Sequence, residues 1–538
     1  MAIHETAPQA VFIEDANGDQ LLVDANGALS SVITDSDGTN HAHITNHSAL
    51  QVSPPPEGRT SGGEMLVVEP TPQALLSFVY SVNPDQVVDF SNNGAVTHAD
   101  SMAVLSTGAA ANQSAAIASY KEIRAEAGIG ARGRFAGMFT TGVANSTQMF
   151  GLTCGCEGMA FGYDGTAFGV LHRTGGEFEI RTLTVTTKST TAENITITLD
   201  GDADATVAVT DATAGDLTTT ANDIAAHDFS DLGRGWFATA VGDTVVFSSF
   251  FPAVRTGTYT LSGATTAIGT IAQSVAGVAP TDNWIAQASW NGSDKFDGAG
   301  TSGTTLDPTK GNSFQVDFQD GFDAIRYYYR DPEDGEFHLV HTIQTGNIAI
   351  VPPYNNPTFP LLASVENLAN TSDLVMKVSA MSSFIDGKQE IIGIPRGVSA
   401  RATIATALET PLISIRMGEV FLSKRNRARM IINLANVAVD HNKPCTMLFY
   451  RNPTLTGAAY AAYSATSSIQ IDVAATSFTG GAEIFSIPLG SIGNETINLL
   501  DDKLIAAFGP GDTLTVTCAP ESGTGALASA AFNITERL

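Results

Sequence analysis

Histidines form the densest group of potential nitrogen ligands for a metal in this sequence, with His41, His43 and His47 close together in one segment. On a strand, His41 and His43 would point to the same face, because side chains alternate with a period of two. They could then share a metal ion, with symmetry-related copies completing its coordination. Since no cysteine or carboxylate supports them, we favour a solvated or interface strand. We predict no bound metal and no cofactor.

A basic cluster, KRNRAR at residues 424–429, stands out in an otherwise acidic chain and contains Arg425, Arg427 and Arg429. The chain has 27 Lys and Arg against 55 Asp and Glu, a formal net charge of −28. The cluster could therefore dock onto an acidic face of a neighbouring subunit. The alternative is a solvated strand edge that discourages aggregation. These arginines are our candidate interface residues.

Two further motifs have the spacing of ligand sites. The run GIGARG at 128–133 matches a dinucleotide fingerprint, but an alternating strand follows it where a helix is required, so we predict a glycine-rich hairpin. Asp200, Asp202 and Asp204 begin like a calcium loop, but Ala205 stands where that loop needs glycine. We interpret this segment as an acidic hairpin turn.

A group of carboxylates lies among aromatic residues: Asp317, Asp320, Asp323, Asp331 and Glu333. Such carboxylates could form a glycosidase pair or border a sugar-binding platform of aromatic rings. We favour charges that solvate strand edges, and we expect Tyr327–Tyr329 and the two tryptophans nearby, Trp284 and Trp290, to belong to the core. No catalytic residue is assigned, and the protein is predicted not to be an enzyme.

The four cysteines do not form a disulfide framework. Cys154 and Cys156 are too close in sequence for an easy disulfide, and no second pair completes a zinc site. We therefore predict that both are ordinary thiols of a strand.

Composition excludes several classes of partner. An excess of acidic side chains disfavours nucleic acid, because binding a polyanion requires Lys and Arg to displace its counterions. An anionic membrane surface is disfavoured for the same reason. The sequence has no apolar run of about 18 residues that could insert into a membrane as a helix. Its start lacks a basic segment followed by an apolar one, so we expect no secretory signal.

The positioning elements are predicted to be strands. Residues 1–51 carry Asn-Gly and Asp-Gly turns between short apolar segments, which is typical of a small β-meander. We interpret this meander as an attachment arm, too short to bury a core alone. Residues 52–63 are rich in proline and glycine and form a linker.

Apolar and polar residues alternate with a period of two in residues 64–188 and again in 281–396, which predicts a central antiparallel β-sandwich. Residues 189–280 contain two hairpins and a short helix near 217–226, and are predicted to be a small α+β module inserted into that sandwich. Short strands in residues 397–538 predict a C-terminal β-sandwich. The fold class is therefore all-β, with multi-domain antiparallel β-sandwiches.

Several segments carry a resemblance to a known family: FGYDGTAFGVL (161–171), GDTVVF (242–247), RTGTY (255–259), AGVAPTDNW (276–284), LDPTKGN (306–312), FHLVHTI (337–343), NPTFP (356–360) and FIDGK (384–388). In these segments the chain resembles virion structural proteins of tailed bacteriophages, described as tail appendages or fibre-like components. The resemblance implies no catalytic residue.

From this resemblance we expect a non-enzymatic structural component of a bacteriophage virion, such as a tail appendage, fibre or adaptor, that takes part in particle assembly and host attachment. The expected partners are other virion proteins and copies of itself in a homo-oligomer, and it would be assembled in the host cytoplasm. A tailspike-like protein that binds or depolymerises host-surface glycans is one alternative. A capsid decoration protein is the second.

Overall fold

The computed structural model describes residues 22–23, 29–30, 70–84, 86–125, 128–210, 217–319, 321–387, 393–422, 424–440, 443–490, 493–498, 507–521 and 523–537. The chain divides into two units, Met1–Arg59 and Thr60–Leu538. In the first unit, β1 (Leu22–Val23) pairs with antiparallel β2 (Leu29–Ser30). The rest of the predicted meander, including His41, His43 and His47, and the predicted linker lie outside the described residues.

The second unit begins with nine strands: β3 (Thr71–Ser77), β4 (Val87–Asn92), β5 (Ala95–Ala99), β6 (Met102–Ser106), β7 (Ser114–Arg124), β8 (Gly130–Met138), β9 (Ser146–Thr153), β10 (Gly158–Asp164) and β11 (Ala167–Thr174). A mixed group follows: β12 (Ile180–Thr187), β13 (Glu193–Leu199), β14 (Asp202–Val209), α1 (Leu217–Ala225), β15 (Trp236–Val241), β16 (Thr244–Ser249), β17 (Thr260–Ser262) and β18 (Ile268–Val275).

The chain then returns to long strands: β19 (Thr281–Ala286), a 3₁₀ turn (Gln287–Ser289), β20 (Asn312–Gln319), β21 (Ala324–Arg330), β22 (Phe337–Gln344), β23 (Thr358–Asn367) and β24 (Val375–Ile385). The last group is β25 (Ile394–Ile404), β26 (Thr410–Met417), β27 (Val420–Phe421), β28 (Lys424–Arg425), β29 (Arg429–Asp440), β30 (Cys445–Arg451), β31 (Thr454–Thr456), β32 (Ala461–Ala462), β33 (Ile469–Asp472), β34 (Ser477–Thr479), β35 (Ala482–Leu489), β36 (Gly493–Asn498), β37 (Ala507–Phe508), β38 (Thr513–Pro520) and β39 (Ala526–Arg537).

The central sandwich consists of two sheets. One has the order β19-β11-β10-β9-β23-β7-β4, and the other has the order β22-β21-β20-β8-β24-β6-β5 with β3 on β24. Neighbouring strands run antiparallel, as in β10 with β11 and β24 with β8. Side chains of both sheets share one core, in which the rings of Phe161 and Phe314 lie 4.6 Å apart. The predicted all-β fold is confirmed.

The predicted core aromatics are largely buried. Tyr327, Tyr328, Tyr329 and Trp290 are at most 3% exposed, and Trp284 is half-buried on the other face of its sheet. The four buried rings cannot serve as a stacking platform for a sugar. The GIGARG segment opens β8, a strand between β20 and β24, which agrees with a strand rather than a dinucleotide turn. A side chain at Gly133 would lie 2.7 Å from Leu152 in the core.

The inserted module packs a four-stranded sheet (β15-β16-β12-β18), a three-stranded sheet (β14-β13-β17) and α1 around its own apolar core. Strand β12 precedes the predicted boundary at residue 189, yet both of its neighbours, β16 and β18, belong to the module. The module covers the outer face of a central sheet, where Phe90 of β4 contacts Phe237 and Phe250. In the middle of the same sheet, β9 and β10 are buried on both faces.

The C-terminal sandwich also has two antiparallel sheets. One is β25-β39-β29-β36 with β37 on β29, and the other is β32-β33-β26-β38-β30-β35. Alternate residues of β39 are buried, so one face of this strand meets the opposite sheet. The small hairpin of β27 and β28 projects from this sandwich and carries the first residues of the basic cluster.

Candidate functional site

The basic cluster lies where the C-terminal sandwich meets the central one, and we call this contact the arginine joint. It comprises Arg425, Arg427 and Arg429 with the groups that they bind. Each arginine contacts a residue of the chain that precedes β13, more than two hundred positions away in sequence. The structure therefore engages all three side chains in contacts within their own chain.

Arg427 is the centre of the joint. Its Nη1 lies 3.6 Å from Oε2 of Glu157 and donates a hydrogen bond of 3.3 Å to the carbonyl oxygen of Asn356. Its Nη2 lies 2.6 Å from Sγ of Cys156. Glu157 is 1% exposed, so this carboxylate depends on the guanidinium for its counter-charge.

Glu157 is held in place by the segment before β23. The backbone N–H of Asn355 donates to Oε1 at 3.1 Å, and the side-chain amide of the same residue donates at 2.6 Å. The backbone N–H of Asn356 donates to Oε2 at 3.4 Å. Hydrogen bonds and an ion pair together satisfy a buried charge that would otherwise be strongly destabilising.

The turn beneath Arg427 corrects the prediction for the cysteines. Cys154 and Cys156 form a disulfide, with their Cα atoms 5.3 Å apart, although the sequence spacing suggested two free thiols. Gly155 lies between them with φ of +83°, a conformation that other residues rarely adopt and that folds the chain back on itself. The Cα separation is therefore within the usual range for a disulfide.

Arg429 makes the second ion pair of the joint. Its Nη2 lies 2.7 Å from Oε2 of Glu122 on β7 and donates to the carbonyl oxygen of Tyr120 at 3.4 Å. The guanidinium lies against the backbone of Gly509, which leaves space for it because glycine has no side chain. A Cβ at this position would lie 2.0 Å from Nη1. A larger residue at position 509 would therefore displace Arg429.

Arg425 stacks on an aromatic ring. Its guanidinium carbon lies 4.3 Å from the ring centroid of Phe178, which is 4% exposed. Burial raises the pKa of the nearby Glu419 carboxyl, an effect that a hydrogen bond from Thr239 and the charge of Arg425 oppose. The cation–π contact thus holds β28 against the chain segment that enters the inserted module.

A cavity of about 200 Å³ lies beside the joint, between the inserted module and the C-terminal sandwich. Thr239 and Val246 line it from the module, and Arg416 and Glu419 line it from the sandwich. Arg416 donates from Nε to Oε1 of Gln470 at 2.7 Å and lies over the ring of Tyr460 at 3.7 Å. The cavity is therefore bordered by side chains that are already engaged in packing.

The predicted calcium-like motif does not converge on one point. Asp200 pairs with Arg255 at 2.5 Å, while Asp202 accepts a hydrogen bond from the backbone N–H of Gly233. Asp204 lies 2.8 Å from Nε2 of His227. Because the three carboxylates have separate partners, the interpretation as an acidic turn fits the structure better than a calcium loop.

The carboxylates among the aromatics have two different environments. Asp317 was expected to solvate a strand edge, but it is 2% exposed and forms an ion pair of 3.0 Å with Arg132, because both side chains lie between β8 and β20. Burial raises the pKa of Asp317, and Arg132 opposes that shift. Asp320 lies outside the described residues.

Asp331 and Glu333 belong to a second feature, which we call the acidic cavity. It is an open cavity of about 300 Å³ between the β21–β22 connection and residues 293–302, and its ionisable lining is Asp294, Asp331, Glu333, Asp334 and His338. Within the described part of the chain, Asp331, Asp334 and His338 form a group whose ligand atoms lie within 4.8 Å of one another.

Sequence reasoning missed the partners of the joint and the composition of the acidic cavity. Nothing in the local sequence connects Arg427 with Glu157, since the two residues meet only through packing of separate sandwiches. One signal for the cavity was present: Asp334 and His338 are four residues apart across a hairpin connection, and both are polar groups with metal-binding chemistry.

None of the helices in the described ranges has the length and apolar character needed to cross a lipid bilayer. No protein-family model matches this chain, and no curated protein matches it significantly. Two solved structures show a distant likeness: the crystal structure of the basic lectin of winged bean with Tn-antigen, and lectin I-B4 from Griffonia simplicifolia in a metal-free form. Each is 8% identical to this chain, covers 58% of it and has a TM-score of 0.22. The match spans 97% of the winged bean lectin chain and 99% of the Griffonia lectin chain. A likeness this weak carries no argument, so the all-β assignment depends on the sheets themselves.

Proposed function

We propose that this chain is a non-enzymatic structural component of a tailed-bacteriophage virion, in the form of a tail appendage, fibre or adaptor protein. In this role it would join neighbouring proteins of the particle and take part in host attachment. The particle itself is suggested by the family resemblance of residues 161–171 and the related segments. The mechanical role is suggested by the geometry.

The arginine joint is the observation that carries the mechanical role. A component that holds position in a particle must resist hinge motion between its domains. Arg427 and Arg429 link the two sandwiches through ion pairs with Glu157 and Glu122, and Arg427 and Glu157 are 14% and 1% exposed. Because separating the sandwiches would leave a buried carboxylate without its counter-charge, opening the joint is costly.

The proposed partners are other virion proteins and further copies of this chain. Several exposed apolar side chains offer a surface for such contacts, since Ile348, Ile350 and Val351 follow one another in the β22–β23 connection and are 71%, 96% and 64% exposed. Neighbouring apolar side chains on a surface are typical of protein–protein contacts. Host-surface glycan remains a predicted partner.

Labelling of intact particles tests the proposal. An affinity-purified antibody against the chain, applied to purified phage particles in negative stain, is expected to decorate the tail or its appendages. The same antibody pre-absorbed with the recombinant chain is the control, and it should label nothing. Mass spectrometry of the same particles should recover peptides of the chain.

Two outcomes would contradict the proposal. Label confined to the head would indicate the capsid decoration protein instead of a tail component. Absence of the chain from purified particles, by both labelling and mass spectrometry, would remove the virion assignment altogether.

A further inference from the structure

Buried carboxylates in this protein usually lie beside an arginine. Glu157, Glu179, Asp317 and Glu536 are each at most 2% exposed, and each forms an ion pair with an arginine. Asp472 lacks such a partner, but backbone N–H groups of Ala459, Ala474 and Ala475 donate to its carboxylate. Burial of negative charge is thus compensated in these places.

The acidic cavity departs from this rule. Asp294 and Asp331 are 5% and 3% exposed, and neither forms an ion pair with a lysine or arginine of the described chain. Asp294 is compensated by hydrogen bonds from the backbone N–H groups of Phe296 and Ser302, so Asp331 is the exception. Glu333 and Asp334 line the same cavity, and the imidazole of His338 is the nearest group that can carry positive charge. Four carboxylates around one imidazole leave an excess of negative charge that a bound cation would neutralise.

Only one of the two carboxylate oxygens of Asp331 accepts hydrogen bonds from described residues. Its Oδ1 accepts hydrogen bonds from Oγ1 of Thr304 at 3.2 Å and from the backbone N–H of Glu333 at 3.0 Å. Its Oδ2 receives no hydrogen bond from any described residue, although the side chain lines the cavity and is almost completely buried. This oxygen opens onto the cavity without a donor from the described residues, so it is available as a ligand for a metal ion.

The geometry of the group needs only a small adjustment to hold a metal. Nε2 of His338 and Oδ2 of Asp334 are 2.7 Å apart, and both side chains are partly exposed, at 34% and 47%. Metal–nitrogen and metal–oxygen bonds of about 2.1 Å at tetrahedral angles place two ligand atoms roughly 3.4 Å apart. Rotation of these two partly exposed side chains, so that the two atoms move apart by about 0.7 Å, would open that space.

We propose that Asp331, Asp334 and His338 bind a divalent transition-metal ion, for which Zn²⁺ is the best suited. Two carboxylates and one imidazole are a ligand set that Zn²⁺ accepts, with water or Glu333 in the fourth position. All of these ligands belong to the β21–β22 hairpin, and Asp331 also accepts a hydrogen bond from Thr304. The role of the ion is to neutralise the carboxylates of this hairpin beside residues 293–304.

Isothermal titration with Zn²⁺ tests this site in the full-length chain after removal of metal by a chelator. The triple variant His41→Ala, His43→Ala and His47→Ala is the background, so that the other histidine group does not contribute. We expect one Zn²⁺ per chain in this background. His338→Ala and Asp331→Asn should each weaken binding at least about tenfold, because each removes a direct ligand.

A matched control is present in the chain. His227 and Asp204 form a similar pair, 2.8 Å apart and partly exposed, without a third ligand in the described residues. His227→Ala should therefore leave Zn²⁺ affinity unchanged. Asp334→Asn, at a more exposed position, repeats the test in case Asp331→Asn impairs folding.

Three results would overturn the assignment. The background variant could bind no Zn²⁺, or it could bind Zn²⁺ with an affinity that His338→Ala and Asp334→Asn do not change. It could also bind Ca²⁺ in a manner that is insensitive to His338→Ala, which would indicate an all-oxygen calcium site instead.

Discussion

The arginine joint and the acidic cavity both bury carboxylates, but they neutralise them in different ways. At the joint, Arg427 supplies the positive charge for Glu157 from within the chain. In the cavity, Asp331 is buried beside Asp334 and His338 without an arginine or lysine partner among the described residues. The first region is electrostatically complete as it stands, whereas the second gains from a cation. Removing a charge should therefore have opposite consequences in the two regions.

The largest effect is expected at the joint. Arg427→Met keeps the length of the side chain and removes its charge, which leaves Glu157 buried and unpaired. We expect the free energy of unfolding to fall by about 3 kcal/mol. Denaturant unfolding of the full-length chain, followed by tryptophan fluorescence, measures the change.

Two variants control this prediction. Lys310→Met breaks a surface ion pair with Asp307 whose lysine is 79% exposed, and should leave stability almost unchanged. The double variant Arg427→Met with Glu157→Gln should recover part of the loss, because it also removes the orphaned charge. Equal effects of Arg427→Met and Lys310→Met would contradict our description of the joint.

A smaller loss is expected from the turn below the joint. Replacing both Cys154 and Cys156 by serine opens the loop that supports Glu157 and Arg427. For so short a loop, the stabilisation due to chain entropy is about 1–2 kcal/mol. The unfolding midpoint of the double variant should match that of the wild-type chain under a reductant, and a difference between them would indicate that serine disturbs the joint in another way.

In the acidic cavity, removal of a charge is expected to raise the free energy of unfolding instead of lowering it. Asp331→Asn can keep the hydrogen bonds from Thr304 and Glu333 while it removes an uncompensated charge. In metal-free buffer we expect the chain to gain about 1 kcal/mol of stability. Asp317→Asn is the matched comparison: it should lower stability, because it leaves Arg132 buried without its partner. A loss of similar size in both variants would remove the distinction between the two regions.

The smallest effect concerns pH. Burial lowers the pKa of His172 below its ordinary value of 6.5, and its Nε2 is buried without a hydrogen-bond partner. The unfolded chain therefore binds a proton at His172 more readily than the folded chain does. The contribution of neutral His172 to stability is complete above pH 6.5, and it is lost as the pH falls from 6.5 towards the lower pKa of the folded state. His172→Gln should flatten the dependence of the melting temperature on pH between about 7.5 and 5.5. An unchanged slope would show that other groups are responsible.

Much of the architecture could be predicted because it depends on local patterns. Period-two alternation in segments such as Val375–Ile385 predicts half-buried strands, and the short helix near residue 217 follows from an interruption of that pattern. The burial of Tyr327–Tyr329 also follows, since aromatic residues in strands usually face a core.

Site residues were harder to predict, because their roles depend on partners that are distant in sequence. Asp317 seemed to be a surface charge until β8 placed Arg132 beside it. The disulfide of Cys154 and Cys156 required a glycine with positive φ between them, which spacing alone does not reveal. The basic cluster was predicted to dock onto a neighbouring subunit or to solvate a strand edge, and its contacts with Glu157 and Glu122 of the same chain were not foreseen.

Residue pattern was sufficient to establish strands, turns and the antiparallel all-β class, because these depend on backbone preferences and on which side of each strand is apolar. Packing of the two sandwiches decided which charges are neutralised and which are not. The reason is physical: the energy of a charge depends on its burial and on the nearest opposite charge, and both are properties of groups brought together only in three dimensions. Arg427 has an opposite charge beside it, in Glu157, whereas Asp331 has no lysine or arginine partner among the described residues. Only the folded chain reveals this difference.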